Sequence, residues 1–336
     1  MENPNTDLTV ASLGEQQLLR RLFQFCSSDQ VGDDAAVLTP QPNHHVVVTT
    51  DMLVDGVHFS DRTTSPTDIG WRSTTANLSD LAAMGAKPLG ITVSLGLPHH
   101  LKVHWLEQLY EGIASCLRAY DTSIVGGDIS RATSITVSIT AFGEVLPDEQ
   151  ILRSTARPGD AIVVSGPHGA ARAGLELLLH PELAEALKPE ERVHLYTAHQ
   201  RPRPRLDVIP LLQQLTPKPR VTGMDSSDGL ADAILQICRA SGVGAIIHQN
   251  CISLPQALQH SSVFSQQQVL QWSLYGGEDF ELVLCLPPQS AHEWVAKLNS
   301  NAMIIGEIIS EECIQLLDLE GKEQTLEMHK GFQHFG

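Results

Sequence analysis

The sequence has no apolar run near the roughly 18 residues that a membrane-spanning helix needs. Near Met1 there is no basic region followed by an apolar core, so no secretory signal peptide is evident. The six cysteines are scattered, and none forms a Cys-x-x-Cys pair. This cysteine usage predicts free thiols in a reducing compartment rather than a disulfide framework. We therefore expect a cytoplasmic protein that makes no use of a membrane.

Several common catalytic and nucleotide-binding motifs are also missing. The chain has neither the G-x-x-x-x-G-K-[ST] P-loop nor the G-x-G-x-x-G dinucleotide fingerprint. It has no G-x-S-x-G nucleophile elbow, and its 15 histidines form no zinc-ligand pattern with the cysteines. These absences argue against P-loop, dinucleotide-binding, serine-hydrolase and zinc chemistry.

Positive charge is scarce, because 22 Lys and Arg stand against 39 Asp and Glu, for a net charge of -17. Nucleic acids and anionic membrane surfaces are bound largely through Lys and Arg, so we expect neither as a partner. An acidic surface favours solubility. Clustered carboxylates can also bind cations. The positions of the acids along the chain distinguish a soluble acidic surface from a cation-binding site.

What is present is an alternation of strand-like and helix-like segments over 336 residues, a length that suggests about two domains. Apolar patterning predicts strands at 45–50, 91–97, 123–125 and 280–286, and helices at 66–84, 105–120, 170–179 and 182–199. The polar stretch 145–150 contains Pro147 and is the predicted boundary between domains 1–147 and 148–336. The predicted fold class is mixed α/β.

Acidic residues beside Gly, Ser or Thr recur at the predicted ends of strands and starts of helices. Any one of them could be a helix N-cap or a turn. Together they would repel unless a cation or proton neutralised them, and oxygen ligands without Cys or His clusters suit Mg²⁺. This favours metal-assisted phosphoryl transfer. The motifs are Gly32-Asp33-Asp34, Thr49-Thr50-Asp51, Asn77-Leu78-Ser79-Asp80, Gly126-Gly127-Asp128, Asp225-Ser226-Ser227-Asp228-Gly229 and Gly276-Gly277-Glu278-Asp279.

Two further features each allow two interpretations. The turn Pro167-His168-Gly169 could direct backbone N–H groups at a phosphate, or it could be a plain tight turn. Arg153 could contact an anion, or it could be an ordinary exposed arginine.

The order of these motifs resembles that of the thiamine-monophosphate kinases, a family within the superfamily of aminoimidazole ribonucleotide synthetase, selenophosphate synthetase and the hydrogenase maturation protein HypE. The resemblance runs from about residue 32 to residue 335. Gly-Asp-Asp and Gly-Gly-Asp are shared across that superfamily. Closer to the kinase branch are Val-Asp-Gly-Val-His-Phe at 54–59, Arg153-Ser154, and Lys-Gly-Phe-Gln-His-Phe at 330–335.

The resemblance implies a two-domain aminoimidazole ribonucleotide synthetase-like fold. Its N-terminal domain would bind ATP and Mg²⁺, and its sheet would pair with that of a second copy to form a barrel in a homodimer. The C-terminal domain would be α/β, with ATP in the cleft between the domains. The implied activity is phosphorylation of thiamine monophosphate to thiamine diphosphate with ATP and Mg²⁺, by direct in-line transfer without a phosphoenzyme. No catalytic acid or base is implied, because the acceptor phosphate is already a nucleophile.

The same resemblance assigns roles to individual residues. An aromatic face can stack on a cationic heterocycle, which suits the phenylalanine among the substrate contacts. A carboxylate can hydrogen-bond a cationic, amino-bearing ring, which suits the glutamate. The implied Mg²⁺ ligands are Asp34, Thr49, Thr50, Asp51, Asp80, Asp128, Asp225 and Asp228; the ATP contacts are Tyr110, Gly127, Arg153 and Ser227; the thiamine monophosphate contacts are His58, Glu278 and Phe332.

Two positions depart from the family pattern. Ser226 stands where an apolar residue is usual, and His329 stands where tryptophan is frequent.

The alternatives to the kinase function are another ATP-using enzyme of the superfamily, or a non-catalytic protein that binds Mg²⁺ or nucleotide. A selenophosphate synthetase would need a reactive cysteine in a glycine-rich N-terminal loop, which Cys26 does not provide. HypE would need a C-terminal cysteine, whereas this chain ends in Phe335-Gly336.

Overall fold

The computed structural model describes residues 8–27, 30–31, 33–259, 261–298, 302–318 and 320–326. Gly32, His329 and the predicted substrate contact Phe332 lie outside the described residues. The chain divides into two compact units, one of Met1–Leu81 with Ala86–Pro147 and the other of Ala82–Gly85 with Asp148–Gly336. The roles assigned to domains 1–147 and 148–336 stay predictions.

The first unit is built on an open four-stranded sheet. Its elements are α1 (Val10–Leu13), α2 (Glu15–Leu22), a 3₁₀ turn (Phe23–Phe25), β1 (His45–Val54), α3 (Pro66–Ala83), β2 (Lys87–Leu97), α4 (Val103–Ala119), β3 (Ile124–Arg131) and β4 (Thr136–Val145). The strand order in the sheet is β1-β4-β2-β3, in which β2 and β3 run parallel and the other pairs antiparallel.

One face of this sheet is buried and the other is exposed, as the two-residue period of a strand requires. In β4, Val137 and Ile139 are fully buried, whereas Ser138 between them is only half-buried. Helices α3 and α4 contact each other through two glycines. A Cβ on Gly70 would lie 2.1 Å from the Leu109 carbonyl oxygen, and one on Gly112 would lie 1.9 Å from the Thr67 carbonyl oxygen. Any larger residue at either position would force the helices apart.

The second unit contains a seven-stranded mixed sheet. Its strands are β5 (Ala161–Val164), β6 (Thr222–Asp225), β7 (Gly244–His248), β8 (Leu282–Leu286), β9 (Met303–Ile309), β10 (Ile314–Leu317) and β11 (Glu323–Thr325). The strand order is β11-β10-β7-β9-β5-β8-β6, in which only β10 and β7 run parallel among the described strands.

Helices cover both faces of this sheet. Ile162 and Val164 of β5 belong to one apolar core, and Ala161 and Val163 belong to another, so the central strands are buried on both sides. The helices are α5 (Ala170–Leu179), α6 (Pro189–Gln200), α7 (Ile209–Gln213), α8 (Leu230–Ser241), α9 (Gln256–Gln259), α10 (Gln266–Tyr275) and α11 (Pro288–Lys297), with 3₁₀ turns at Pro181–Ala186, Arg205–Val208 and Gln249–Cys251.

The mixed α/β fold class is confirmed, and the differences from the sequence prediction are local. The helix expected over 182–199 is a 3₁₀ turn followed by α6, because Pro189 begins a new helix. The strand expected from Phe280 begins instead at Leu282, since Phe280 has a left-handed φ of 53°. No helix in the described part of the chain is long and apolar enough to cross a membrane.

Candidate functional site

In the first unit, helix α3 brings two of the predicted ligands together at the sheet. The Thr49 hydroxyl of β1 donates to the Asp80 carboxylate of α3. The backbone N–H of Asp51 donates to Asn77 Oδ1 at 3.1 Å, and the buried Asn77 amide nitrogen donates to the Ser73 carbonyl at 3.0 Å. Asn77 and Asp80 therefore share one face of α3, as their spacing predicts. The result is a group of oxygen donors on the helix-covered side of β1.

Two other predicted ligands lie on the opposite side of the same sheet. The Thr50 hydroxyl donates to the Ile139 carbonyl at 2.9 Å and points away from Thr49 and Asp51, because successive side chains alternate. Asp128 is exposed, and the register pairs it with Ser94 on the exposed face. The sheet thus separates Thr50 and Asp128 from the donors beside α3.

Asp34 is exposed in the segment before β1. Within the described ranges, no three His, Cys, Asp or Glu side chains assemble as a metal-binding group. In the part of the chain that the structure describes, the contact between Thr49 and Asp80 joins two expected ligands, and no group of three acids forms.

The remaining sequence-predicted residues of this unit have distinct environments. A Cβ on Gly127 would lie 2.2 Å from the Val93 carbonyl oxygen, so only glycine fits there. Tyr110 is buried in α4 with its ring centroid 5.9 Å from that of Phe25, and burial raises the pKa of its hydroxyl above the usual range. His58 Nδ1 accepts the Val54 N–H at 3.1 Å, which puts the ring proton on Nε2.

In the second unit, two loops carry most of the candidate residues. We call Asp225–Gly229 the serine loop and Gly276–Glu281 the acidic loop. The Glu278 N–H donates to the Ser227 carbonyl at 2.8 Å, and a Cβ on Gly277 would lie 2.4 Å from that same oxygen. The Ser226 N–H donates to the Glu281 carbonyl at 2.9 Å. Backbone contact therefore holds the predicted ATP contact Ser227 directly against the predicted substrate contact Glu278.

The serine loop begins at the buried end of β6 and becomes exposed. Asp225 is 2 % exposed, whereas Asp228 is exposed. The Ser226 hydroxyl is buried and shares a hydrogen bond of 3.0 Å with His168 Nε2. This bond explains how serine is tolerated where the family usually has an apolar residue, because a buried hydroxyl needs a partner. Burial lowers the pKa of His168 to about 4, so its imidazole is neutral at pH 7.

The three acids of the acidic loop are used differently. The Glu278 side chain is 35 % exposed, and its Oε2 lies 3.6 Å from Nδ1 of the buried His199. Asp279 accepts the backbone N–H groups of Gly169 and Ala171 at 2.6 and 2.9 Å. Burial raises the pKa of Asp279 to about 7, and these two hydrogen bonds offset only part of that effect.

Glu281 is held by an ion pair in the interior. Its carboxylate accepts from the Ser165 hydroxyl and from Arg205 Nη1, and the same nitrogen donates to the Ser165 carbonyl at 2.9 Å. Arg205 also forms an ion pair with Asp207 at 3.0 Å. This network fastens the end of the acidic loop to β5.

These contacts decide between the two interpretations of Pro167-His168-Gly169. The N–H groups that open α5 bond to the Asp279 carboxylate, so a carboxylate from the chain itself occupies the place that a phosphate would take. Arg153 is exposed, and its Nη1 donates to Gln236 Oε1 of α8 at 2.7 Å. Gln236 is in turn hydrogen-bonded to Asp232.

The sequence assigns no individual role to Asp279, Glu281 or Arg205, although Asp279 belongs to one of the acidic motifs. Asp279 and Glu281 belong to the same Gly-Gly-Glu-Asp-Phe-Glu motif as Glu278. The sequence shows the motif, but it does not show which acid contacts the backbone, which pairs with an arginine and which stays partly exposed. The signal for Arg205 was the alternation of Arg and Pro over 201–205, which predicts an extended connector and says nothing about an ion pair.

Comparison with known proteins gives consistent matches along the chain. The family model for AIR synthase related protein, N-terminal domain, matches residues 32–145, and the model for the C-terminal domain of the same family matches residues 157–317. A thiamine-monophosphate kinase of Synechococcus elongatus is 49% identical over 98% of this chain and 99% of its own length. The Bacillus subtilis thiamine-monophosphate kinase is 33% identical over 85% of this chain and 81% of its own.

Solved structures match at similar coverage. Thiamine-monophosphate kinase from Stenotrophomonas maltophilia superposes with a TM-score of 0.77 at 30% identity, covering 92% of this chain and 96% of that one. AaThiL complexed with AMPPCP and TMP superposes with a TM-score of 0.74 at 30% identity, covering 98% and 99%. Escherichia coli HypE has a TM-score of 0.73 at 20% identity, covering 93% and 97%, which indicates a shared fold alone.

Proposed function

The chain belongs to the thiamine-monophosphate kinases within the AIR synthase related family, and we propose that it phosphorylates thiamine monophosphate to thiamine diphosphate with ATP. The observation that carries the proposal is the backbone contact between the serine loop and the acidic loop. It joins Ser227, an expected ATP contact, to Glu278, an expected substrate contact. A relative of the same family was solved with AMPPCP and TMP bound, which supports both substrates.

Phosphoryl transfer demands positioning and charge stabilisation more than acid–base chemistry. The substrate's own phosphate oxygen attacks the γ-phosphorus in line, so no side chain has to remove a proton. Arg153 and Ser227 would contact ATP, together with the Gly127 backbone and Tyr110. Glu278 would bind the amino-bearing ring, His58 would contact the same substrate, and Phe332 would stack on its cationic heterocycle.

The oxygen donors on the first unit fit Mg²⁺. Thr49, Asp51 and Asp80 supply a hydroxyl and two carboxylates beside α3, without any thiolate or imidazole, and this is the donor chemistry that Mg²⁺ prefers. The other expected ligands are not part of this group: Asp34 precedes β1, Thr50 and Asp128 lie on the opposite side of the sheet, and Asp225 and Asp228 belong to the second unit. Bound Mg²⁺ would offset phosphate charge in a chain whose 39 Asp and Glu outnumber its 22 Lys and Arg.

A homodimer is part of the proposal. The exposed face of β1 presents Val46, Val48 and Met52, which are 54%, 57% and 54% exposed, so this face is apolar and unusual for a surface strand. Pairing of this face with a second copy would bury these side chains and give the barrel implied by the family resemblance. We expect Val48→Lys to shift sedimentation from dimer to monomer, and an unchanged dimer would contradict this arrangement.

A cytoplasmic location is also part of the proposal, because scattered cysteines without a pairing pattern suit a reducing compartment.

The test of the activity is an assay of the purified protein with ATP, Mg²⁺ and thiamine monophosphate, with thiamine diphosphate as the measured product. Thiamine is the matched control acceptor, because it lacks the phosphate that acts as nucleophile and should give no product. Product that requires both ATP and thiamine monophosphate is the expected result. No product at any Mg²⁺ concentration would overturn the proposal, and nucleotide binding without turnover would indicate a non-catalytic protein.

A further inference from the structure

The acidic loop contains two non-glycine residues in a conformation that L-amino acids rarely adopt. Glu278 has a φ of 69° and Phe280 a φ of 53°. Such left-handed residues persist only where surrounding contacts impose them, and they concentrate at functional sites. Asp279 lies between the two. The contacts of Asp279 and Glu278 hold this segment and determine which side chain it exposes.

Asp279 supplies the anchor. Its two carboxylate oxygens separately accept the N–H groups of Gly169 and Ala171 at 2.6 and 2.9 Å, at the start of the ten-residue helix α5. The N-terminus of a helix favours negative charge and offers N–H donors, so a carboxylate is well matched to this place. The chain thereby fastens the middle of the acidic loop to a helix that belongs to a different part of the fold.

A second anchor acts on the neighbouring residue. The Glu278 N–H is bound to the Ser227 carbonyl at 2.8 Å, and the Asp279 carboxylate fixes the other side of the Glu278 residue. The Glu278 carboxylate remains partly exposed, 3.6 Å from His199 Nδ1. Asp279 therefore anchors the loop, and the preceding residue, Glu278, keeps its carboxylate partly exposed.

We propose that Asp279 is a positioning residue that presents Glu278 to thiamine monophosphate by clamping the acidic loop to the N-terminus of α5. The proposal rests on the proposed function, in which Glu278 contacts the substrate. Asp279 does not itself contact substrate, because both of its oxygens are engaged by backbone N–H groups. Its effect on catalysis passes through Glu278 and the loop that carries it.

The experiment is a double-mutant cycle with Asp279→Asn, Glu278→Gln and the combined variant, measured by steady-state kinetics and by calorimetric binding of thiamine monophosphate. Asp279→Asn replaces one of the two carboxylate oxygens that accept a backbone N–H with an amide nitrogen, and it changes the shape of the side chain little. We expect it to raise the KM and Kd for thiamine monophosphate by about tenfold, with a smaller effect on kcat. In the Glu278→Gln background the same substitution should change these values by less than about twofold.

Asp160→Asn is the matched control. Asp160 is also a buried carboxylate of the second unit, and it accepts the Arg157 N–H at 2.8 Å in a turn away from the acidic loop. Its substitution should lower the melting temperature without raising the KM for thiamine monophosphate. If Asp279→Asn does not fold, Asp279→Ser replaces it, because a serine hydroxyl can still accept a backbone N–H.

The outcomes separate this proposal from the proposed function. An Asp279→Asn effect of equal size with and without Glu278 would overturn the positioning role, as would an unchanged KM. A wild-type protein that binds thiamine monophosphate without forming thiamine diphosphate would overturn the kinase activity, while the binding cycle would still test Asp279. A wild-type protein that neither binds nor phosphorylates thiamine monophosphate would overturn both.

Discussion

The acids of the two units differ in what they contact. In the first unit, Asp80 accepts from the Thr49 hydroxyl, and Asp128 is exposed at the sheet. In the second, Asp279 accepts two backbone N–H groups, and Glu281 is paired with Arg205 in the interior. All four come from acid-containing motifs of the sequence, although Asp80 and Asp128 lie within α3 and β3 rather than at their ends. The difference teaches that the pattern has two physical uses, as expected ligands for cations and as anchors for loops.

The largest expected effect comes from removing an expected ligand in the first unit. Asp128→Asn should lower kcat by about two orders of magnitude or more, because a lost metal contact costs several kcal/mol of transition-state stabilisation. Asp128 is exposed, so the melting temperature should be unchanged. Kinetic assays and thermal unfolding measure the two effects separately.

Asp61→Asn is the control for that change, since Asp61 is another exposed acid of the first unit and has no assigned role. It should leave kcat unaltered. Turnover that survives Asp128→Asn would mean that the acid of the Gly-Gly-Asp motif is not a metal ligand. The claim that acids of the first unit bind cations, whereas those of the second anchor loops, would then be contradicted.

The next effect concerns an anchor in the second unit. Arg205→Met removes the partner of Glu281 and leaves a buried carboxylate without its cation, so the free energy of unfolding should fall by about 3–5 kcal/mol. Chemical denaturation measures this value. The exposed pair of Arg118 and Glu111 is the control, because Arg118→Met should cost about 1 kcal/mol or less. Equal losses from the two variants would refute the distinction between anchoring and surface acids.

The smallest expected effect is a pH dependence at His168. Its pKa is about 4 in the folded protein because burial opposes the charged form, and the reference value for an exposed histidine is 6.5. The unfolded chain therefore binds more protons between these values, so the stabilisation from this group is complete above pH 6.5 and is lost as the pH falls towards 4. The difference in melting temperature between the wild type and His168→Gln should shrink from pH 7.5 to pH 5. A constant difference would show that burial of a neutral imidazole is not the cause.

Much of the fold could be predicted because it depends on local patterns. The β-branched run in β1 and the helical periodicity of α4 are properties of consecutive residues, and both elements form, although β1 runs on to Val54 beyond its predicted end at Thr50. The start of β8 could not be predicted, because the left-handed φ of Phe280 is imposed by contacts of its neighbours with distant parts of the chain. Propensity alone favours a strand there.

The site could be predicted in part for the same reason. The motif around Asp225 and the motif around Glu278 are visible separately, but their backbone contact joins residues about 50 positions apart and depends on the strand order of the sheet. The separation of Thr50 from Asp51 by the sheet follows from strand alternation. For Asp128 the same inference needs the register of β3, which shifts at an irregularity between Ile91 and Thr92 of β2.

The central claim is direct transfer of a phosphoryl group from ATP to thiamine monophosphate, with the chain's own residues only binding and orienting. The most direct test uses ATP made chiral at its γ-phosphorus by oxygen isotopes, followed by determination of the configuration at the terminal phosphorus of the product. The account predicts thiamine diphosphate with inverted configuration, the result of a single in-line displacement. Retained configuration would require a phosphorylated enzyme intermediate and would contradict it, as would the absence of thiamine diphosphate.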